Sequence, residues 1–289
     1  MKILDGKSIA KRVKDELKEK VARFVRERGR EISLAVVMVG NNSASAVYVR
    51  NKIKAAEYVG IRSLSFVLPE NAAQSDVEEI VRSLAADESV DGILVQLPLP
   101  PQIDENAVLS LIPPEKDVDG FTDVNVGRLL LGKDCSAACT PKGIMTMLKS
   151  EGVSLSGKNA VVVGRSNIVG KPIALMLLKE NCTVTVCHSK TQNLGEICKN
   201  ADILVAAIGK PRFIRADMVK DGATVIDVGI NRTENGLVGD VDFDGVKEKA
   251  AFITPVPGGV GPMTIASLME NTYECALKRV ENSARKGEE

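Results

Sequence analysis

Short runs of aliphatic and β-branched residues alternate with helical periodicity along almost the whole chain. From Ile9 to Val25 an apolar residue recurs every four positions, which predicts one face of an amphipathic helix. A strand over Leu34–Val39, a helix over Ala44–Val59 and a strand over Ile61–Leu68 are predicted to follow. Strands separated by helices pack side by side as a parallel sheet with helices on both faces. The predicted fold class is therefore α/β.

The chain, at 289 residues, is long enough for two domains of about 100–200 residues each. The alternation begins again after Thr140 and Pro141, where Thr is the predicted N-cap and Pro the first residue of a helix. Further strands are predicted near Ala160–Val163, Thr183–Cys187, Ile203–Ala207 and Thr224–Val228. We place the domain boundary near residue 139. The first domain then covers 1–138 and the second 139–262, and a last helix over 263–285 joins the first domain.

Composition and charge limit the possible partners. Lys plus Arg and Asp plus Glu each number 38, so the formal net charge is zero, whereas nucleic-acid-binding proteins normally have a basic excess. No apolar run approaches the roughly 18 residues that a membrane span needs, and the charged N-terminal segment lacks the apolar core of a signal peptide. We therefore expect a cytoplasmic protein with neither a nucleic-acid nor a membrane partner. Six cysteines without a CxxC pair and a single histidine argue against a zinc site, so no metal is predicted.

The segment VVVGRSNIVGKP contains a glycine-rich turn between a strand that ends at Gly164 and a helix that begins near Val169. Backbone N–H groups at such a helix start can hold phosphate. The pattern is GxSxxxG rather than GxGxxG, so an ordinary strand–helix turn is the alternative. A site for NAD usually has Asp or Glu after the next strand, but here His, Ser and Lys follow at 188–190. Together with Arg165 they favour the 2′-phosphate of NADP, although each cation taken singly could be solvated surface charge.

Five polar positions are considered for proton chemistry, substrate binding or metal binding. Tyr48 and Lys52 share one helix face, but a lysine acts as a base only if its pKa falls below the ordinary value of about 10.4, and most helical lysines are solvated. Gln96 ends a predicted strand, where parallel sheets commonly bind ligands. In KDVDG, Asp117 and Asp119 are too few to bind a metal. A turn with Asx hydrogen bonds is one alternative, and acceptance of hydrogen bonds from an amino-heterocycle such as a pterin is another.

The motifs occur in one order: LDGK, SxxYVxxKxKA, VQLPLP, KDVDG, TPKG, VVVGRSxIVGxP, CHSKT, DVGIN and PVPGGVGPMT. Jointly they resemble the bifunctional methylenetetrahydrofolate dehydrogenase/methenyltetrahydrofolate cyclohydrolase family over nearly the whole chain. The resemblance implies NADP-dependent oxidation of 5,10-methylenetetrahydrofolate, then hydrolysis of the methenyl product to 10-formyltetrahydrofolate. It implies a folate-binding catalytic first domain, a Rossmann-like NADP-binding second domain, a cleft between them, and a homodimer. It also links the protein to one-carbon metabolism and to purine, methionine and histidine biosynthesis.

The resemblance also implies roles for particular residues. Lys52 is the catalytic lysine, Tyr48 orients the folate, Gln96 tunes the protonation of Lys52, and Asp119 holds the pterin edge. The implied NADP contacts are Gly164, Arg165, Ser166, Gly170, Ser189 and Ile230. Beside the four catalytic positions, the implied folate contacts are Val95, Leu97, Pro257, Gly258, Gly259, Val260 and Gly261.

Two departures from the family pattern concern loops only. Ala138 stands where a proline commonly precedes Cys-Thr-Pro, and Asn41–Asn42 replaces a commoner acidic residue. Cys139 is interpreted as structural, because nothing beside it in the sequence would lower its pKa. The alternatives are a dehydrogenase with weak cyclohydrolase activity, an inactive folate-binding relative, and a shikimate-type dehydrogenase, against which VQLPLP and KDVDG argue.

Overall fold

The computed structural model describes residues 1–40, 43–234 and 236–286, so the departure at Asn41–Asn42 lies outside the described residues. The chain divides into two compact units. The six-stranded unit comprises Met1–Lys11 and Thr140–Thr264, and the three-stranded unit comprises Arg12–Cys139 and Ile265–Glu289. Each unit has its own parallel sheet, so the predicted α/β class with two domains is confirmed. The functions assigned to 1–138 and 139–262 stay a prediction.

The secondary structure follows the predicted alternation. The helices are α1 (Gly6–Arg28), α2 (Ser43–Val59), α3 (Gln74–Ala86), α4 (Glu105–Ser110), α5 (Asp123–Leu130), α6 (Cys139–Ser150), α7 (Gly170–Lys179), α8 (Leu194–Lys199), α9 (Phe243–Lys247) and α10 (Val260–Lys286). The strands are β1 (Lys2–Ile3), β2 (Ser33–Val39), β3 (Arg62–Leu68), β4 (Gly92–Val95), β5 (Asn159–Val163), β6 (Thr183–Cys187), β7 (Ile203–Ala206), β8 (Thr224–Asp227), β9 (Asn231–Thr233), β10 (Gly236–Val238) and β11 (Phe252–Ile253). In the described ranges, no helix is long and apolar enough to cross a membrane.

The sheet of the three-stranded unit has the order β3-β2-β4, and both pairs are parallel. Every residue of β2 is buried. Side chains at alternate positions enter two different cores, because successive residues of a strand point to opposite faces. Leu34, Val36 and Met38 pack in a core with residues of α1, α2 and α10, whereas Ala35 and Val37 pack with residues of α3 and α4. Helices therefore cover both faces of this sheet, as the continuous apolar run of β2 predicts.

The sheet of the six-stranded unit has the order β1-β11-β8-β7-β5-β6, and all its pairs are parallel. The chain winds outward from β5 to β6 on one side and from β5 to β7 and β8 on the other. In doubly wound sheets, ligands bind at the carboxyl ends of the strands where the winding direction reverses. Here that point lies between β5 and β7, and the glycine-rich turn follows β5 directly.

The first residues of two helices differ from the prediction. α6 begins at Cys139, so Thr140 lies in the first turn and not at the N-cap. Its hydroxyl instead shares a hydrogen bond of 2.9 Å with the hydroxyl of Thr264. Pro141 remains compatible with the helix, because first-turn N–H groups have no intrahelical acceptor. α10 begins at Val260, three residues before the predicted start.

Candidate active site

Lys52 and Gln96 meet at the carboxyl end of the three-stranded sheet. The backbone N–H of Gln96 donates to the Val37 carbonyl oxygen at 2.8 Å, which extends the pairing of β4 with β2 by one residue. The Lys52 Nζ donates to Gln96 Oε1 at 3.0 Å. The Gln96 Nε2 donates to the Leu97 carbonyl oxygen at 2.7 Å. Because the amide nitrogen is already bonded, the amide oxygen is the atom that faces Lys52.

The KDVDG segment runs beside β4, since the Ile93 N–H donates to the Lys116 carbonyl oxygen at 2.8 Å. The buried Lys116 Nζ donates to three carbonyl oxygens at the end of α3, those of Leu84, Ala85 and Asp87, at 2.7–3.1 Å. Burial lowers the pKa of Lys116, and the nearby positive charge of Arg279 lowers it further. Lys116 thus satisfies a helix C-terminus that would otherwise lack donors.

Asp117 organises the loop that follows it. Its carboxylate accepts hydrogen bonds from the backbone N–H groups of Gly120, Phe121 and Thr122 and from the side chain of Asn125, at 2.8–3.3 Å. It is 2% exposed. With its oxygens occupied in this way, Asp117 has a structural role, and the Asx-turn alternative describes this residue correctly.

Asp119 differs from Asp117 in its surroundings. It is partly buried, and within the described residues no backbone N–H donates to its carboxylate. Burial raises the pKa of Asp119, while the positive charge of Lys52 and a hydrogen bond from Cys139 act in the opposite direction. The structure thus brings Lys52, Gln96 and Asp119 together, with one amine, one amide and one carboxyl group that has unused acceptor capacity.

Three other predicted contacts surround this group. Tyr48 lies one turn before Lys52 on α2 and is 40% exposed, but within the described residues no hydrogen bond joins it to the other three. The Val95 side chain is buried and that of Leu97 packs against the same core. A ligand beside Gln96 would therefore meet the backbone of Val95 and Leu97 more readily than their side chains.

In the six-stranded unit, the glycines of the turn after β5 are required by close packing. Gly164 has φ +129°, and a Cβ at this position would overlap the Ala207 carbonyl oxygen, which follows β7. A Cβ at Gly170 would overlap the Gly164 carbonyl group. The Ser166 hydroxyl accepts hydrogen bonds from the N–H groups of Val169 and Gly170 at 3.2 and 3.3 Å.

The first backbone N–H groups of α7 are the ones that were expected to hold phosphate. The Lys171 N–H donates to the Ser166 carbonyl oxygen at 3.0 Å, and residue 172 is a proline, which has no N–H. The first N–H groups of α7 therefore already have acceptors within the chain. The N-cap residue is Val169, and the Ser166 hydroxyl caps the helix start from three residues earlier. The expectation that the turn holds phosphate stays a prediction.

The turn after β6 lies beside the turn after β5, because Val163 pairs with Cys187 in the sheet. The His188 N–H donates to Thr191 Oγ1 at 2.9 Å, and the Lys190 N–H donates to His188 Nδ1 at 3.1 Å. His188 thus closes the turn with its side chain. The residues between, Ser189 and Lys190, are exposed.

Two buried carboxylates to which the sequence assigned no role, one of them the Asp of the DVGIN motif, hold the loops after β7 and β8. Asp227 accepts from the N–H groups of Gly229, Asp240 and Val241 at 2.8–3.1 Å. Asp240 accepts from three consecutive N–H groups at 208–210 and from the side chain of Asn231, at 2.7–2.9 Å. Burial raises the pKa of Asp227 to about 7, although its N–H donors oppose this. The sequence signal that could have found them was a glycine within two residues of each carboxylate, Gly229 after Asp227 and Gly239 before Asp240. A Cβ at Gly229 would overlap Asp240, and one at Gly239 would overlap Asp227.

The PVPGGVGP loop is held by the opening LDGK motif. The Lys7 N–H donates to the Gly258 carbonyl oxygen at 3.1 Å, and a Cβ at Gly6 would overlap the Gly259 carbonyl oxygen. On its other side, Gly261 faces the exposed Ile230, whose Cδ1 lies 3.7 Å from where a Cβ of Gly261 would be. Ile230 and this loop thus form one neighbourhood within the six-stranded unit.

Comparison with known proteins gives matches over nearly the whole chain. The family models for the tetrahydrofolate dehydrogenase/cyclohydrolase catalytic domain and NAD(P)-binding domain match residues 4–119 and 138–280. The Bifunctional protein FolD of Agathobacter rectalis is 58% identical over 278 residues, which cover 96% of this chain and 99% of that protein.

Two solved structures agree with these matches. The crystal structure of the bifunctional FolD methylenetetrahydrofolate dehydrogenase/cyclohydrolase from Campylobacter jejuni has a TM-score of 0.94 and 50% identity, covering 96% of this chain and 99% of that one. The Trypanosoma brucei methylenetetrahydrofolate dehydrogenase-cyclohydrolase, solved with NADP and an inhibitor, has a TM-score of 0.91 and 43% identity, covering 96% and 97%. The shikimate-type alternative is therefore wrong. The chain belongs to the tetrahydrofolate dehydrogenase/cyclohydrolase family, with both its catalytic and its NAD(P)-binding domain.

Proposed function

We propose that this protein oxidises 5,10-methylenetetrahydrofolate to 5,10-methenyltetrahydrofolate with NADP⁺ and then hydrolyses the product to 10-formyltetrahydrofolate. The observation that supports this most is the 3.0 Å hydrogen bond between Lys52 Nζ and Gln96 Oε1, close to the partly buried Asp119. The methenyl carbon is already an electrophile, so its hydrolysis needs a positioned water and a proton acceptor but no metal or covalent nucleophile.

Lys52 is the proposed proton acceptor for the hydrolytic water. Water loses a proton as it adds to the methenyl carbon, and a neutral amine held in a fixed orientation can accept it. The Gln96 oxygen accepts one Lys52 hydrogen and is itself fixed by the bond from Gln96 Nε2 to the Leu97 carbonyl oxygen. Gln96 therefore orients the amine without transferring a proton itself.

Asp119 is the proposed binding group for the pterin. An ionised carboxylate is purely an acceptor, and the exocyclic amino group and ring N–H of a pterin are donors. Because the backbone does not occupy its oxygens, Asp119 retains the capacity for both bonds.

Tyr48, exposed on the same helix as Lys52, is proposed to orient the folate. The folate contacts implied for Pro257–Gly261 stay a prediction.

The turns after β5 and β6 fit NADP. Gly164 and Gly170 allow the turn to pack closely at the point where the winding reverses, and the exposed Arg165 and Ser189 follow two paired strand ends. Residues 188–191 contain no carboxylate to hold an NAD ribose or repel a 2′-phosphate. When bound, NADP⁺ supplies the hydride acceptor. We also propose direct cofactor contacts for Ser166 and Ile230.

One assay distinguishes the bifunctional enzyme from its alternatives. Methylenetetrahydrofolate is added with NADP⁺ or NAD⁺, and the reduced cofactor and methenyl absorbances are followed together. We expect the cofactor signal to rise while methenyltetrahydrofolate is consumed. Persistent accumulation of methenyltetrahydrofolate would indicate a dehydrogenase with weak hydrolase activity, and no turnover would indicate an inactive relative.

We further propose a homodimer that acts in the cytoplasm. The support for a dimer is β3, which lies at an edge of its sheet and exposes 61% of Val67. An unpaired edge strand with apolar side chains readily pairs with another strand. Sedimentation analysis should give a dimer that Val67→Lys weakens, whereas the matched control Val124→Lys, also at an exposed position, should leave it intact. A wild-type monomer would contradict this proposal.

A further inference from the structure

The backbone on both sides of Asp119 is fixed by hydrogen bonds. On the N-terminal side, the Val118 carbonyl oxygen accepts from Asn271 Nδ2 at 2.8 Å and from Cys139 Sγ at 3.2 Å. On the C-terminal side, the Gly120 N–H donates to the Asp117 carboxylate at 2.8 Å. The Val118 carbonyl and the Asp119 N–H belong to one planar peptide unit. Donors to that carbonyl therefore also fix the position of the Asp119 Cα.

Asn271 joins two segments that are both far from it in the sequence. It lies on α10, has no exposed surface, and donates with the same Nδ2 to the Ala137 carbonyl oxygen at 2.8 Å. Residues 136–138 pack directly on Gly120, where a Cβ would approach the Ala138 nitrogen to 2.7 Å. One amide group thus holds the segment that contains Asp119 against the segment that leads into Cys139.

We infer that Asn271 is a positioning residue for Asp119, through which the last helix sets the geometry of the proposed pterin-binding carboxylate. This inference rests on the folate-binding role proposed for Asp119. Asn271 has no direct role in the chemistry. Without its bonds to these two carbonyl groups, the Ala137 carbonyl would lose its donor and the Val118 carbonyl would keep only the weaker thiol bond from Cys139. The segment would then shift to find other donors.

The first test compares Asn271→Leu with Thr272→Val. Both residues are fully buried on α10, but the Thr272 hydroxyl donates within its own helix, to the Leu268 carbonyl oxygen. We expect Asn271→Leu to raise the KM for folate roughly tenfold in both reactions, because displacements well under 1 Å impair positioned groups. The Kd for NADP⁺, measured by calorimetry without folate, should not change. Thr272→Val should retain the wild-type KM, and an equal rise in both variants would overturn the inference.

A double-mutant cycle separates positioning from general destabilisation. If Asn271 acts through Asp119, the effect of Asn271→Leu on folate KM should largely disappear in an Asp119→Ala background. Additive effects would overturn the inference. If Asp119→Ala alone leaves folate KM unchanged, the proposed role of Asp119 is wrong. If Asp119→Ala impairs folate use but Asn271→Leu does not, only the role of Asn271 is wrong.

Milder variants keep the test decisive if Asn271→Leu does not fold by circular dichroism. Asn271→Ser retains one donor. Cys139→Ala removes the thiol, which bonds the Val118 carbonyl oxygen and Asp119 and accepts from Asn271 at 3.5 Å, but leaves the Asn271 bonds to the Val118 and Ala137 carbonyl oxygens. We expect a severalfold rise in folate KM for Asn271→Ser and a smaller one for Cys139→Ala. Folded Asn271→Ser protein with wild-type folate KM would overturn the inference.

Discussion

The proposed folate-binding region of the three-stranded unit depends on side chains, whereas the proposed cofactor-binding region of the six-stranded unit depends on the shape of a backbone turn. In the three-stranded unit the proposed chemistry resides in side chains, namely Lys52, Gln96 and Asp119, on a backbone fixed by further hydrogen bonds. In the six-stranded unit the shape of the turn depends on the absence of side chains, at Gly164 and Gly170. The comparison implies that function in the first unit can be removed without changing the fold. In the six-stranded unit, a substitution that impairs cofactor binding should more often also disturb the shape of the turn.

The aspartates of the two units give a second contrast. Asp117, Asp227 and Asp240 are buried, and backbone N–H groups occupy their oxygens. Within the described residues, Asp119 has no such donor. A buried carboxylate surrounded by N–H groups organises a loop, whereas one that lacks them retains capacity for a ligand.

The largest expected effect is that of Lys52→Met, which removes the amine but keeps most of the bulk. Hydrolysis requires proton transfer from water, so cyclohydrolase activity should fall by roughly 10²–10⁴-fold. Hydride transfer moves no proton at the reacting carbon, so dehydrogenase activity should fall less, and Gln96 variants should show a milder form of this split. Both steps are assayed separately, with the exposed Lys54→Met as control. Near wild-type hydrolysis by Lys52→Met would make Lys52 a positioning residue.

In the six-stranded unit, Arg165→Ala should weaken the preference for NADP⁺. Losing a charge-assisted hydrogen bond to the 2′-phosphate costs about 1.5–3 kcal/mol, or roughly ten- to a hundredfold in kcat/KM. NAD⁺ kinetics should change little, and the exposed Arg215→Ala should affect neither cofactor. A wild-type protein that uses both cofactors equally well would refute this prediction.

Ser166→Ala tests whether the cap of α7 also contacts the cofactor. Loss of a capping hydroxyl should cost about 1 kcal/mol of unfolding free energy, which lowers Tm by roughly 2–4 °C. Thermal melts and NADP⁺ calorimetry measure the two roles separately. A fall in NADP⁺ affinity as large as that of Arg165→Ala would support a direct contact, and unchanged affinity with a lower Tm would restrict Ser166 to capping.

The smallest effect concerns the stability of Asp119→Asn. Burial raises the pKa of Asp119 in the folded protein. The wild type therefore loses folding stability as the pH rises from the pKa of this carboxyl in the unfolded chain through its higher pKa in the folded protein. Asparagine cannot ionise, and the variant should therefore melt at a higher temperature than wild type near about pH 8. The difference should shrink towards about pH 4. A lower Tm for the variant at the higher pH would mean that Lys52 and Cys139 outweigh burial.

Much of the fold could be predicted from local patterns. The main strands and helices follow periodicity, and the long apolar run of β2 indicated a sheet covered on both faces. The pairing of Lys52 with Gln96 and the position of Asp119 came from motif order and resemblance, since spacing alone left solvated alternatives open. The structure adds the 3.0 Å distance between Lys52 Nζ and Gln96 Oε1 and the electrostatic interaction of Lys52 with Asp119.

Other features depend on contacts that no local pattern specifies. Ser166 caps α7 because its hydroxyl folds back on the N–H groups of Val169 and Gly170, although the same residues also suggested a phosphate site. α6 begins one residue before Thr140, and no local pattern indicated that the Thr140 hydroxyl bonds with that of Thr264. Asn271 could not be linked to the segment of Asp119, since it and Val118 are 153 positions apart and meet only after the unit has folded.

The pairing of β1 with β11 has a consequence for synthesis of the chain. Lys2 and Ile3 lie beside Phe252 and Ile253 in the six-stranded sheet, about 250 residues later. At roughly 5–20 residues per second, a ribosome needs about 10–50 s to make the partner strand. During that time β1 has no native neighbour, while the strands from β5 to β8 can already assemble. The edge of this sheet is therefore completed by a strand made long before its partner, after the centre of the sheet has formed.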